Sequence, residues 1–260
     1  MAPLAPGNAR VKDARKLSRR SVRTERRLFL ADGPKAVAGA LGVPGCVVDV
    51  FATAAATEQY ADLAAAAGTW TLVDDRALAS LSDSVTPAGV VGVCRFVDVP
   101  LGEALGTHPR LVVICADVRD PGNAGTVIRT ADAAGADAVV LAGDSVDAYN
   151  PKTVRATVGS LFHLPVAVEP DPSAAIAAAR AAGLTVLAAD GAGEVDLDGA
   201  DELLSGPTAW LFGNEARGLP EDLAAAADHR VRIPIHGRAE SLNLSTAAAV
   251  CLYASARAQR

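Results

Sequence analysis

Residues Leu211–Pro220 read LFGNEARGLP, and the reading of this stretch decides how the rest of the chain is understood. The residues leading into it, Thr208–Phe212 (TAWLF), are bulky and apolar enough for a core strand. Gly213 lets the chain turn where a side chain would block either a bend or a ligand. Asn214, Glu215 and Arg217 then form a polar cluster at the strand's carboxyl end, where open α/β sheets receive their ligands. An ordinary strand-to-helix loop has much the same composition, so the stretch takes its meaning from its surroundings.

Outward from it, strands and helices alternate. RLVVICADV, DAVVLAG and LTVLAAD read as strands, and HRVRIPI as a short one. TVRATVGSLFHLPVAV reads as a helical turn running into a strand. NAGTVIRTADAAGA, PSAAIAAARAAG, PEDLAAAA and LSTAAAVCLYASARAQR read as helices. This order predicts a mainly parallel sheet covered on both faces. About one hundred residues before it, enough for a small domain, carry their own alternation: RLFLADGPKAVAGAL, GCVVDVFAT, EQYADLAAAAG, WTLVDD, RALASLSDS and GVVGVCRFVDV. The Pro- and Gly-bearing DVPLGEALGTHPR is the natural boundary. The expected domains are residues 1–104 and 105–260, with no internal repeat.

Half of the 260 residues are hydrophobic, so a large core is available, while aromatics make up only 4%. That scarcity argues against a wide aromatic platform for stacking bases. Cys46, Cys94, Cys115 and Cys251 are scattered singly, and Cys115 lies in the apolar run LVVICADV, as a reduced core cysteine does. His108, His163, His229 and His236 show no ligand spacing, and no metal site is expected. A charged N-terminus without an apolar run, and no stretch of membrane-spanning length, point to a soluble cytoplasmic protein.

The net charge of −6 hides an asymmetry: nine Lys and Arg stand against two acids between Met1 and Phe29. A solvated face or loose tail has this composition too. Seven arginines in one short segment of an acidic protein nonetheless suit phosphate contact, because guanidinium offers a planar fork of donors. Arg10, Arg15, Arg19, Arg20, Arg23 and Arg26 are the candidate RNA contacts, with Lys152, Arg155 and Arg238 as further cations.

Two more polar clusters accompany the first. In DPGNAGTVIRTADAAGA, Asp120–Asn123 is turn chemistry after a strand, and Asn123 is placed to cap the helix that follows. Val127, Ile128, Ala131 and Ala134 share one side of that helix, and the spacing of Arg129 and Asp132 suits a surface ion pair. Neither GxGxxG nor GxxxxGK[ST] is present. In RIPIHGRAESLNLSTAAAV, Ser241, Asn243 and Ser245 stand immediately before the last helix. Each cluster alone is compatible with a plain helix cap, although free N–H groups at such a helix start also suit a carboxylate or phosphate.

Taken together and in this order, NAGTVIRT, LFGNEARGLP and IPIHGRAESLNLSTAAAV resemble the three motifs of the SpoU (TrmH-type) RNA 2′-O-methyltransferases, members of the SPOUT superfamily. The resemblance runs from about Arg110 to the C-terminus. FLADGPKAV and LSDSVTPAGVVGV are similar to the ribosomal-protein-like substrate-binding domain of the same family.

The resemblance implies an α/β fold with a deep trefoil knot, and S-adenosylmethionine as methyl donor. Gly213, Ile233 and Leu242 would hold the cofactor through their backbones, with Ala189 and Asn214 beside it. It also implies that Arg129 lies at the ribose hydroxyl and its phosphate, oriented with the cofactor by Asn123, Glu215, Ser241 and Asn243. Because guanidinium stays protonated, Arg129 is expected to stabilise developing charge rather than to act as a base. Homodimers through the C-terminal domain and an RNA substrate, ribosomal ahead of transfer RNA, are further implications. The alternatives are a catalytically silent RNA-binding protein on the same fold, and an oxidoreductase with a Rossmann-like sheet, which the missing GxGxxG disfavours.

Overall fold

The computed structural model describes residues 2–260, and the chain forms two compact units. The first begins with α1 (Ala9–Arg15) and α2 (Arg20–Arg26). The Asn8 side chain caps α1 by accepting the Arg10 amide at 2.9 Å, and α2 ends on Arg27 in the left-handed region at φ 52°. The basic segment is therefore helical, which its charge count alone does not reveal. Val11, Ala14 and Leu17 recur at helical spacing and are buried against Phe51, Leu78 and Val91. There follow β1 (Leu28–Asp32), α3 (Pro34–Leu41), β2 (Val47–Ala52), α4 (Ala54–Gln59), α5 (Ala61–Ala66), β3 (Trp70–Leu72), α6 (Asp75–Ala79) and β4 (Val90–Arg95). The stretch expected as one helix across EQYADLAAAAG breaks at Tyr60, which leaves helical geometry at ψ 44°. The sheet runs β1-β4-β2-β3 and is mixed: β4 lies antiparallel to β1 and β2, while β2 and β3 are parallel.

The second unit takes up Asp98–Val146 and Leu164–Arg260. It starts with α7 (Leu101–Leu105), a short helix inside the expected boundary stretch, and continues through β5 (Leu111–Ala116), α8 (Pro121–Ala134) and β6 (Ala138–Ala142). The chain then leaves. Asp147–His163 belongs to the first unit, where α9 (Pro151–Thr157) packs on β1. Tyr149 and Phe162 set their rings 4.6 and 6.1 Å from that of Phe29. The compact units are thus joined by three crossings of the backbone, whereas the sequence suggests a single cut between residues 104 and 105.

The rest of the second unit is β7 (Val166–Glu169), α10 (Pro172–Ala181), β8 (Thr185–Ala189), β9 (Val195–Asp196), α11 (Asp201–Ser205), β10 (Thr208–Phe212), α12 (Glu221–Ala226), β11 (His229–Arg232) and α13 (Leu244–Ala258). The seven strands run β7-β6-β5-β10-β8-β11-β9, and every pairing is parallel. On one face Val112, Ile114, Val140 and Leu211 pack with Ile176, Ala179 and Leu223. Trp210, fully buried, donates its indole N–H to Ser255 Oγ of α13 at 2.8 Å, so its polar atom is satisfied. α13 in turn packs along α8. Burial of each such side chain contributes about 1.5–3 kcal/mol.

Strand order reverses beside β5. The chain runs β5, β6, β7 toward one edge, while β10, β8 and β11 lie on the other side. The loops leaving the carboxyl ends of β5 and β10 therefore diverge, which is where sheets of this kind open a ligand crevice. Among the described residues no helix is long and apolar enough to cross a membrane.

Candidate functional site at the carboxyl edge of the parallel sheet

Phe212 pairs with Cys115 in register, so Gly213 and Asp117 begin neighbouring loops. The loop after β10 folds back on itself: the Asn214 amide donates to the Gly218 carbonyl at 3.0 Å, and the Gly218 amide to the Asn214 carbonyl at 2.8 Å. A Cβ on Gly213 would lie 2.4 Å from the Gly218 carbonyl carbon. The need for glycine is thus already set by the chain's own backbone. Asn214 is spent in the same turn. Its Oδ1 accepts from the Ala216 and Arg217 amides, and its Nδ2 donates to the Asp117 carbonyl at 2.9 Å. Both polar atoms of the Asn214 side chain thus shape the loop.

Glu215 reaches across to the start of α8. Its carboxylate accepts from the Arg119 amide at 3.1 Å, the Asp120 amide at 3.0 Å and Asn123 Nδ2 at 3.3 Å. The cap of α8 is Asp120, whose Oδ1 accepts from the Asn123 amide at 2.8 Å; Asn123, expected as the cap, lies inside the first turn. The Asp-Pro pair carries that signal, since proline favours the first helical position and aspartate the cap before it. Freed from capping, Asn123 accepts through Oδ1 from Asn243 Nδ2 at 3.1 Å. Asn243 caps α13, its Oδ1 taking the Ser245 amide at 2.9 Å and Ser245 Oγ at 2.7 Å. All three polar clusters therefore join in one hydrogen-bonded chain: Glu215, Asn123, Asn243.

Arg129 lies on α8 and is exposed, with no hydrogen bond or ion pair within the chain among the described residues. The surface pair with Asp132 that its spacing allows does not form. Ser241 is exposed on the segment entering α13. Cys115, wholly buried in β5, has its thiol pushed by burial to about 12, which fits an inert core cysteine.

Ala189, Gly213 and Ile233 stand at or just beyond the carboxyl ends of β8, β10 and β11, three strands adjacent in the sheet. The expected strand through HRVRIPI stops at Arg232, leaving Ile233–Leu242 without regular structure as it leads to α13. Ile235 and Leu242 on this segment are 38% and 37% exposed, unusual for large apolar side chains in this chain. Ile233 and Pro234 are partly buried, and the rest of the segment to Leu242 is exposed. Among the described residues no group of three or more His, Cys, Asp or Glu is placed to hold a metal.

In the first unit the candidate RNA-contacting arginines divide. Arg23 is 2% exposed; it donates to the Leu17 and Ser18 carbonyls at 2.9 and 2.8 Å and to Asp147 Oδ2 at 2.6 Å. Burial and full pairing make it a structural residue and take it out of the expected set. Arg10 pairs with Asp49 at 2.7 Å, and Arg26 with Asp13 at 2.6 Å, a hydrogen bond that holds the Asp13 carboxyl below its ordinary range. Arg155 is likewise engaged, with Asp83 and Asp32. Lys12, Arg15, Arg19 and Arg20 remain exposed, without ion pairs among the described residues.

Comparison with known proteins assigns this parallel sheet and its joined clusters to an S-adenosylmethionine-dependent RNA ribose methyltransferase. The chain belongs to the SpoU rRNA methylase family, whose model matches residues 110–253; residues 8–92 match the MRM3-like substrate binding domain. It is 36% identical over 249 residues, 95% of each chain, to the 23S rRNA (guanosine(2553)-2′-O)-methyltransferase RlmP of Bacillus subtilis (strain 168). Among solved structures it is similar to an AdoMet-bound rRNA methyltransferase from Sinorhizobium meliloti, at 38% identity and a TM-score of 0.84 over 96% of this chain and 95% of that one. The SpoU methyltransferase AviRb from Streptomyces viridochromogenes superposes with a TM-score of 0.85 at 31% identity, covering 97% and 98%.

Proposed function

We propose that the enzyme methylates a ribose 2′-hydroxyl of large-subunit ribosomal RNA in the cytoplasm, acting as a homodimer. The observation that carries the reading of the site is the Glu215–Asn123–Asn243 chain, which ties the starts of α8 and α13 to the loop after β10. The choice of RNA rests on a relative along nearly the whole chain that is named a 23S rRNA 2′-O-methyltransferase, with others so named over half of it or more.

Bound S-adenosylmethionine supplies an electrophilic methyl on a sulfonium. Ala189, Gly213, Ile233 and Leu242 hold it mainly through main-chain atoms, with Asn214 keeping the loop closed. A ribose hydroxyl is a poor nucleophile, and its oxygen gains negative charge as its proton passes to solvent water. Arg129, exposed and unpaired, meets that oxygen and the adjoining phosphate with a charge that does not titrate away. Asn123, Glu215 and Asn243 fix the helix starts around it, and Ser241 orients the ribose. Lys12, Arg15, Arg19 and Arg20 take the RNA backbone. The segment Ile233–Leu242, returning from β11 to a helix packed on α8, runs through the loop after β10 as a trefoil knot. The dimer forms over α8 and α13, where Val250 and Tyr253 are 39% and 52% exposed.

The test is nucleoside mass spectrometry of ribosomal and transfer RNA from cells with and without the protein. One 2′-O-methyl nucleoside should disappear from the large-subunit RNA. A loss confined to transfer RNA would overturn the substrate assignment.

A further inference from the structure

Each backbone N–H from Asp117 to Asp120 is taken up by a neighbouring loop. Asp117 donates to the Ala142 carbonyl at 3.1 Å and Val118 to Ser145 Oγ at 3.1 Å, both at the end of β6. Arg119 and Asp120 donate to Glu215 beyond β10. The carbonyls of Asp117 and Val118 accept from Asn214 Nδ2 and the Val146 amide, at 2.9 and 2.8 Å. The connection between β5 and α8 is therefore fastened on both sides, with little freedom to drift.

The turn in this connection is made by Asp117. It sits at φ 56°, in the left-handed region where aspartate and asparagine are the non-glycine residues most readily accommodated. Its Oδ1 accepts the Asp144 amide at 2.7 Å. The space for that carboxylate is kept by Gly143, at φ 67°, where an added Cβ would lie 2.5 Å from Asp117 Oδ1. A non-glycine residue held in a sparsely populated conformation, with a fitted carboxylate, is the kind of strain that clusters at functional sites. What it steers is α8, which carries Asn123 in its first turn and Arg129 further along.

We propose that Asp117 is a positioning residue for methyl transfer: its carboxylate sets the left-handed turn that aims α8, and so holds the Arg129 guanidinium where the ribose oxygen reacts. The proposal rests on the role given to Arg129 above. It also separates two functions, because the residues assigned to the cofactor lie at or beyond the carboxyl ends of β8, β10 and β11 and on the segment entering α13, rather than on α8. Loss of the carboxylate lowers the rate of the chemical step and leaves the cofactor in place.

The experiment uses the full-length protein under single-turnover conditions with saturating RNA and S-adenosylmethionine, and calorimetry with S-adenosylhomocysteine. Asp117→Gly takes the turn without strain, folds, and lacks the acceptor. Its rate should fall by roughly 10- to 100-fold, the scale of a small misplacement of a reacting group, with cofactor affinity within about twofold. Asp117→Asn keeps both the conformation and an acceptor oxygen, and should restore the rate to within about threefold. Wild-type rates in Asp117→Gly would overturn the proposal, as would a parallel loss of cofactor affinity, or an Asn variant as slow as the Gly variant. Arg129→Ala serves as reference: if it is fully active, the reading of the site fails and the positioning role with it. If it is inactive while Asp117→Gly is normal, only the positioning role fails.

Discussion

The Asn243 side-chain amide donates to the side-chain carbonyl of Asn123 at 3.1 Å, across 120 positions of sequence. One bond thus couples the first turn of α8 to the cap of α13. Both asparagines use their remaining groups locally or toward Glu215, so the amide orientation at each is set by the network rather than free to flip.

Asn243→Ala removes a cap and the link to Asn123 together, and should cost about 1–2 kcal/mol in chemical denaturation, the usual range for a lost cap. Asn243→Asp keeps an acceptor for the Ser245 amide but cannot donate to Asn123. It should retain most of the stability yet lose methyl transfer. Equal activity of Asp and wild type would mean that the link between the helices has no part in function.

Arg129→Ala should leave the denaturation midpoint unchanged, since an exposed side chain without intrachain partners contributes little to folding. Methyl transfer should fall by roughly two to three orders of magnitude, as when a charge-stabilising donor is removed from an active site. Calorimetry with S-adenosylhomocysteine should show unaltered affinity, and weakened cofactor binding would reassign the residue.

Gly213→Ala places a methyl against the Gly218 backbone. The loop has no flexible side chain there to yield, so a destabilisation of about 1–3 kcal/mol is expected, with cofactor affinity lost as the turn opens. A variant as stable as wild type would show that the fold-back between Asn214 and Gly218 is dispensable.

The arginines of the N-terminal helices should separate into two kinds. Arg23→Ala leaves Asp147 without its buried partner and should cost about 3–5 kcal/mol. Replacing Arg15, Arg19 and Arg20 together should leave stability within roughly 0.5 kcal/mol. The slope of log affinity for RNA against log salt should then become shallower by about 0.7 per lost phosphate contact on single strands. An unchanged slope in the triple variant would mean that RNA is held elsewhere.

Much of the second unit was legible in the sequence because its strands are continuous apolar runs, the mark of a parallel sheet buried on both faces. RLVVICADV, DAVVLAG and TAWLF hold β5, β6 and β10, the first two shorter at both ends than the runs suggest. The three polar clusters were legible as well, though not the bonds among them. The helical character of residues 9–26 was carried by Val11, Ala14 and Leu17, whose spacing a count of charges overlooks. Arg23 illustrates a different blindness: nothing local distinguishes it from Arg19 or Arg20, and its partner Asp147 lies 124 positions away. Asp117 is hidden in another way: it falls inside the strand-like run RLVVICADV, and a left-handed turn at the end of an apolar run leaves no compositional trace.

The excursion of Asp147–His163 into the first unit bears on how the protein comes off the ribosome. The N-terminal unit emerges first, yet Arg23 must wait for Asp147 and Phe29 for Tyr149 and Phe162. At about 5–20 residues per second, that leaves a nascent chain several seconds with an unneutralised arginine and an uncovered aromatic face. The first unit therefore completes itself only after β5, α8 and β6 have been made. Exchanging recognition units between relatives would accordingly require two grafts, one of them inserted into the middle of the catalytic sequence.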